Sequence, residues 1–161
     1  MAVIRKRQIR VYADTSVFGG VFDEEFDRAS KSFFKEVQEK KFVLITSELV
    51  RQEILAAPRK VQKYFEKMLA YCQIAEIQAE TLALQEAYLK EQIVSDKYAT
   101  DALHVALATV SNAKMIISWN FKHIVNYQKI PLYNAVNKLN GYEPIDIYSP
   151  SEVIEDEDKN V

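Results

Sequence analysis

The alternation of short apolar strands with amphipathic helices predicts an α/β fold for this chain. We expect a three-layer α/β/α sandwich around a central, mostly parallel sheet of four or five strands. The segment 42–46 is apolar without strict alternation, which is typical of a strand buried on both faces of a parallel sheet. A chain of 161 residues is long enough for one domain with a sizeable core.

The predicted elements follow one another with few interruptions. Strands are expected at 9–13, 42–46, 73–77, 115–118 and 145–148. Helices are expected at 27–41, 48–57, 59–71, 79–92, 96–112 and 135–140. We assign residues 1–150 to a single domain and the acidic residues 151–161 to a flexible, solvated tail.

Composition excludes several classes of protein. The longest apolar runs are far too short to cross a membrane, and no apolar signal core follows the N-terminus. Cys72 is the only cysteine, which excludes a disulfide framework and a cysteine-based metal site. The net charge of −2 includes no strong basic excess, so any contact with nucleic acid would come from local patches. We therefore expect a cytoplasmic protein without a membrane partner.

A carboxylate ends the first predicted strand. Asp14 follows segment 9–13 directly, and the hydroxyl residues Thr15 and Ser16 come next. Ligands of parallel α/β proteins gather outside the carboxyl ends of the strands, although a strand-end Asp also commonly caps a turn. Asp14 is therefore the residue against which the other acids are tested.

Helical spacing separates buried acids from solvated ones in the helix predicted at 48–57. Glu53 falls about 40° from Leu49 around the helix axis, in the middle of the apolar stripe. Glu48 falls outside that stripe and is interpreted as a solvated acid of the first turn. Because a buried carboxylate costs free energy, Glu53 needs either a paired cation or a function.

The same test applies to the helix predicted at 96–112, which is apolar almost all round. Asp101 lies among apolar residues near its start, whereas Asp96 lies on another side and is interpreted as a cap. Asp101 is either a second N-terminal cap or part of a site at the strand ends. His104 lies beside Asp101 on this helix, but we interpret it, like His123, as a packing or hydrogen-bonding residue.

Three acids brought to one place would repel one another unless a cation held them. Their oxygen ligands suit Mg²⁺ or Mn²⁺ rather than zinc. Asn120 follows the predicted strand 115–118 and offers either a further oxygen ligand or a cap for the next turn. The hydroxyls expected to orient the carboxylates or to hydrogen-bond their own turns are Thr15, Ser16 and Ser118.

Four segments resemble the PIN domain family in order and spacing. The first is a strand ending in Asp-Thr-Ser, the second a strand followed by a helical acid, the third an Asp-Ala-x-x-x-Ala-x-Ala helix, and the fourth a strand ending in a polar residue. In this chain they lie at 11–17, 45–54, 100–108 and 115–120. The resemblance covers roughly residues 8–150.

The resemblance implies that Asp14, Glu53 and Asp101 are metal-ligating acids, and it departs from the family at Asn120, where many members have Asp. It implies a metal-dependent ribonuclease, with Lys97 and Lys122 as candidate contacts for RNA phosphates or as ordinary surface lysines. Small members of this kind are often VapC-type toxins, so a homodimer and a cognate antitoxin are expected partners. Two alternatives remain open: a phosphohydrolase that uses Asp14 as nucleophile, and a non-catalytic binding module.

Overall fold

The computed structural model describes residues 8–155. Its centre is a five-stranded sheet whose strands are all parallel and lie in the order β3-β2-β1-β4-β5. The strands are β1 (Ile9–Ala13), β2 (Phe42–Ser47), β3 (Cys72–Ala75), β4 (Met115–Ile117) and β5 (Asp146–Tyr148). The predicted α/β/α sandwich with a parallel sheet is confirmed.

Helices connect the strands and cover both faces of the sheet. In the described part of the chain they are α1 (Thr15–Gly20), α2 (Asp27–Gln38), α3 (Glu48–Leu55), α4 (Arg59–Met68), α5 (Ala79–Lys90), α6 (Ala99–Val110), α7 (Ile130–Leu139) and α8 (Pro150–Val153). Single 3₁₀ turns, Leu69–Tyr71 and Asp96–Tyr98, precede β3 and α6. Within residues 8–155, none of these helices is both long and apolar enough to span a membrane.

The order of the strands places a topological switch point beside β1. From β1 the chain moves outward through β2 and β3, then returns to the other side of β1 for β4 and β5. Because the connections diverge at this point, the carboxyl ends of β1 and β4 form the switch point at which α/β sheets bind ligands. Ala13 is paired with Ile117, so the residues that follow them, Asp14 and Ser118, lie side by side.

Several boundaries differ from those that the sequence predicts. Helix α7 begins at Ile130 instead of residue 135, because Pro131 stands in its first turn, where a proline starts a helix without losing a hydrogen bond. Strand β3 ends at Ala75, two residues before the predicted end. The predicted helix 96–112 is divided into a 3₁₀ turn and α6.

The beginning of the predicted acidic tail packs against the domain. Residues 150–153 form α8, and the Glu155 carboxylate lies 3.2 Å from the ammonium group of Lys41. The backbone amide of Glu155 also donates a 3.0 Å hydrogen bond to Glu36, which is buried in α2. Residues 156–161 of the tail lie outside the described part of the chain.

Candidate active site

Asp14 is held at the switch point by two serine hydroxyls. Its carboxylate is only 4% exposed and accepts hydrogen bonds from Ser16 Oγ at 2.5 Å and Ser118 Oγ at 2.6 Å. Each hydroxyl oxygen in turn accepts a backbone N–H: Ser16 from Trp119 at 2.9 Å and Ser118 from Asn120 at 2.9 Å. These amides leave both hydroxyl protons directed at the carboxylate, so β1 and β4 are joined through Asp14.

Asp14 also begins α1. Its Oδ1 accepts the backbone N–H of Ser16 at 3.1 Å, and its φ and ψ are those of an extended N-cap residue. The turn-cap role expected of a strand-end Asp is therefore present. It uses one lone pair of one oxygen, and the carboxylate retains sites for other partners.

Glu53 lies on α3 with its carboxylate toward the same edge of the sheet. Its Oε1 accepts hydrogen bonds from Thr15 Oγ1 at 2.8 Å and from His104 Nε2 at 2.6 Å. The side chain remains 36% exposed, whereas His104 is almost completely buried at 3%. Thr15 therefore links the start of α1 to α3.

The charge of Glu53 acts on the Asp14 carboxylate. Burial raises the pKa of the Asp14 carboxyl above its ordinary value, and the charge of Glu53 raises it further. His104 and the two serine hydroxyls oppose that rise. Burial also raises the pKa of Glu53, but the hydrogen bond and charge of His104 outweigh it, and the pKa lies below its ordinary value. The pair is thus a buried acid beside an ionised one.

A buried chain of polar groups continues beyond His104. Tyr12 in the centre of β1 is fully buried, and its hydroxyl lies 2.8 Å from His104 Nδ1 and 2.8 Å from Ser47 Oγ. Ser47 is the N-cap of α3 and accepts the backbone N–H of Val50 at 3.2 Å. The chain of polar groups therefore runs from the N-cap of α3 to Glu53 within the same helix.

Asp101 lies in the first turn of α6, as predicted, but its charge acts on different groups. Burial lowers the pKa of His123, and the charge of Asp101 opposes that fall. Asp101 also adds to the rise that burial causes in the pKa of Tyr133. Within residues 8–155, no three acidic, histidine or cysteine side chains are arranged to share one metal ion. The structure brings Asp14 and Glu53 together, and the charge of Asp101 acts on His123 and Tyr133.

Asn120 fills the capping role that was one of its two expected roles. Its Oδ1 accepts the backbone N–H of His123 at 3.0 Å, in the turn that follows β4. Its own backbone N–H is bound to Ser118, so Asn120 helps to direct the Ser118 hydroxyl toward Asp14. Neither ring nitrogen of the buried His123 has a hydrogen-bond partner among the described residues.

An aromatic and cationic rim lies next to these groups. The Trp119 ring stacks on Phe26 with centroids 4.2 Å apart, and its Nε1 donates to Ser30 at 2.8 Å. The ammonium groups of Lys97 and Lys122 lie 5.6 Å and 5.3 Å from the centroid of the Tyr98 ring. Two cations therefore converge on one ring in the 3₁₀ turn before α6.

The donor set at the switch point fits a hard divalent cation. Asp14 and Glu53 offer carboxylate oxygens, which Mg²⁺ and Mn²⁺ prefer, and a cation would relieve the repulsion between the two. Asp14 keeps its second oxygen in contact with Ser118 alone among the described side chains. The two carboxylates are therefore suited to hold one divalent cation between them.

The fold and the site place this chain among the parallel α/β proteins that have an acidic site at the carboxyl ends of the strands. A comparison with protein-family models matches the PIN domain over residues 11–122, and the chain belongs to the PIN domain family. No curated protein matches the chain.

Solved structures support the fold. One similar chain comes from the crystal structure of VapBC2 from Rickettsia felis bound to a DNA fragment from their promoter. The two chains share a TM-score of 0.58 and 14% sequence identity, and the match covers 88% of this chain and 98% of the other. Similarity at this level of identity extends to the fold.

Proposed function

We propose that this protein is a metal-dependent endoribonuclease that hydrolyses phosphodiester bonds in RNA. The observation that carries the proposal is the buried Asp14 carboxylate beside the ionised Glu53 at the switch point of the sheet. A buried carboxylate close to an ionised one costs free energy in the absence of a cation and is expected where a cation performs a function. Membership of the PIN domain family supports the same activity.

Asp14 and Glu53 would hold Mg²⁺ or Mn²⁺, and we propose Asp101 and the side-chain oxygen of Asn120 as further ligands at the edge of the site. A divalent ion supplies Lewis-acid activation of a phosphate and of the attacking water. Ser16 and Ser118 fix the Asp14 carboxylate by donating to it, and Thr15 fixes Glu53 in the same way. These hydroxyls keep the acids in place before substrate arrives.

RNA would approach over the rim. Lys97 and Lys122 point their ammonium groups at Tyr98, close to the first turn of α6 that carries Asp101. Cations at this position are suited to bind phosphates on either side of the scissile bond. Phe121 is half exposed next to Lys122 and offers an aromatic face for a base.

We further propose that the chain is a VapC-like toxin with a protein antitoxin, acting as a homodimer in the cytoplasm. The support is the similarity of its fold to a chain of the VapBC2 complex. Induced expression is expected to arrest growth, and the Asp14→Asn variant is expected to leave growth unchanged. Growth arrest by both proteins at equal levels would contradict a toxin activity based on this site.

The phosphohydrolase alternative is disfavoured by the surroundings of Asp14. Two serine hydroxyls and the Ser16 backbone N–H donate to the carboxylate, and these hydrogen bonds lower its nucleophilicity toward phosphorus. Trapping of an aspartyl-phosphate at Asp14 would revive that alternative.

The decisive experiment compares RNA cleavage by the wild type and two Asp→Asn variants in Mn²⁺ and in EDTA. Asp14→Asn is expected to abolish the Mn²⁺-dependent cleavage. Asp96→Asn removes an acid from the nearby 3₁₀ turn and is expected to leave cleavage unchanged. Full activity of Asp14→Asn, or of the wild type in EDTA, would overturn the proposal. If the wild type does not bind Mn²⁺, a non-catalytic binding module would be favoured.

A further inference from the structure

We propose that Tyr12 and His104 are positioning residues that hold the Glu53 carboxylate in place through a buried chain of hydrogen bonds. This role rests on the proposed function of Glu53 as a metal ligand. The chain consists of the side chains of Ser47, Tyr12, His104 and Glu53, with neighbouring atoms 2.6–2.8 Å apart.

With a neutral imidazole, the hydrogen bonds between these four side chains can run in only one direction. The Glu53 carboxylate accepts, so His104 carries its proton on Nε2. Nδ1 then accepts from the Tyr12 hydroxyl, and the Tyr12 oxygen accepts from Ser47. The Ser47 oxygen is satisfied by the backbone N–H of Val50. The Ser47 and Tyr12 hydroxyls and the His104 Nε2–H therefore each have an acceptor, which favours a rigid network.

The chain ties Glu53 to parts of the fold that cannot move independently. Tyr12 is fully buried in the central strand β1, and His104 is buried in α6. Ser47 ends β2 and caps the helix on which Glu53 lies, so one end of the hydrogen-bonded chain holds the start of α3 and the other holds Glu53. Glu53 is the only partly exposed side chain among the four, with a relative accessibility of 36%. Without these partners its carboxylate would sample several rotamers, and binding an ion would have to immobilise it.

The hydrogen bonds made to Glu53 also suit a carboxylate that ligates a metal ion. Both donors to Glu53, Thr15 and His104, bind Oε1. Partners that orient a ligating carboxylate typically contribute tenfold to a hundredfold to metal affinity or activity. A packing role alone predicts loss of stability without a change in metal affinity.

The test uses Tyr12→Phe, which removes one oxygen atom and keeps the ring. Its matched control is Tyr88→Phe, because Tyr88 is equally buried and its hydroxyl binds Asn137 and Thr109 in a separate network. Binding of Mn²⁺ to each metal-free protein is measured by calorimetry. Tyr12→Phe is expected to weaken binding about tenfold to a hundredfold, and Tyr88→Phe is expected to bind as the wild type does. With RNA, Tyr12→Phe is expected to lower kcat and to leave KM unchanged.

His104 provides a second, independent test. His104→Gln keeps a donor that reaches Glu53, whereas His104→Leu removes it, so the Gln variant is expected to retain tighter Mn²⁺ binding. Nitrogen NMR of the metal-free wild type is expected to report a proton on His104 Nε2, the atom that donates to Glu53. This measurement requires neither a variant nor a metal.

Two sets of results separate this role from the proposed function. If Asp14→Asn abolishes Mn²⁺ binding and cleavage while Tyr12→Phe and His104→Leu retain both within twofold, the positioning role is wrong and the function stands. If Asp14→Asn retains both, the proposed function fails. Absence of a proton on His104 Nε2, or an equal loss of affinity in Tyr88→Phe, would also overturn the positioning role.

Discussion

The Ser118 hydroxyl at the end of β4 donates a 2.6 Å hydrogen bond to the Asp14 carboxylate at the end of β1. These residues are 104 positions apart in the chain and meet because Ala13 and Ile117 are paired in the sheet. The bond crosses the switch point of the sheet. It therefore couples the stability of the two central strands to the carboxylate on which the proposed activity depends.

Ser118→Ala is expected to destabilise the protein by about 1–3 kcal/mol, because it removes the partner of a buried carboxylate oxygen. It also frees the Asn120 backbone N–H that Ser118 accepts. Urea denaturation followed by circular dichroism measures the loss. Ser151→Ala, at an exposed position, is the control. Equal stability of the two variants would show that the bond contributes nothing.

Asp14→Asn is expected to make the metal-free protein more stable at neutral pH. Burial raises the pKa of Asp14 above 3.8, so its protonated form stabilises the fold below that value, and this contribution is lost as pH rises through the folded-state pKa. The Asn side chain carries no charge, so the variant does not suffer this loss of stability at neutral pH. Its Tm should exceed that of the wild type at pH 7, and the difference should shrink toward pH 4. A difference that grows at low pH would contradict the assignment.

Gly20→Ala is expected to lower stability and to disturb the environment of Trp119. A Cβ at this position would lie 2.6 Å from Ser30 Oγ and 2.7 Å from Trp119 Nε1, within the hydrogen bond that joins them. Overpacking of this kind costs about 1–3 kcal/mol. Gly19→Ala, in the same helix, meets no atom within 4 Å and is expected to be neutral or stabilising. Thermal denaturation monitored by tryptophan fluorescence distinguishes the two.

Lys97→Gln combined with Lys122→Gln is expected to weaken RNA binding, because both ammonium groups converge on Tyr98 at the rim. Binding is measured in the Asp14→Asn background so that the RNA stays intact. Each lost phosphate contact should reduce the slope of log affinity against log salt by about 0.7. Lys63→Gln, at an exposed position on α4, is the control. An unchanged salt slope in the double variant would place the RNA elsewhere.

Features that depend on the periodicity of one element can be predicted from this sequence. The strand-end position of Asp14 and the side of α3 that carries Glu53 are of this kind. The Glu53 carboxylate meets Thr15 next to Asp14, but its side chain is 36% exposed and not buried as the apolar stripe predicts. The parallel sheet follows from the alternation of strands and helices. The start of α7 cannot be predicted in this way, because a proline such as Pro131 indicates a break in a helix unless its position in the first turn is known.

Contacts between elements could not be predicted in this way. His104 and Glu53 lie 51 positions apart on different helices, so helical spacing indicates only that His104 is near Asp101. The same spacing gives no information about where Asp101 points, and in the structure its charge acts on His123. The metal-ligating roles of Asp101 and Asn120 remain predictions.

The most direct test of the account is Mn²⁺-dependent RNA cleavage by two Glu→Gln variants of the same helix. Glu53 contacts Thr15 and His104 at the site, whereas Glu48, in the first turn of α3, contacts the backbone of Ile77. We predict that Glu53→Gln lowers the cleavage rate at least a hundredfold and that Glu48→Gln cleaves as the wild type does. Cleavage by Glu53→Gln at the wild-type rate would contradict the assignment of the active site.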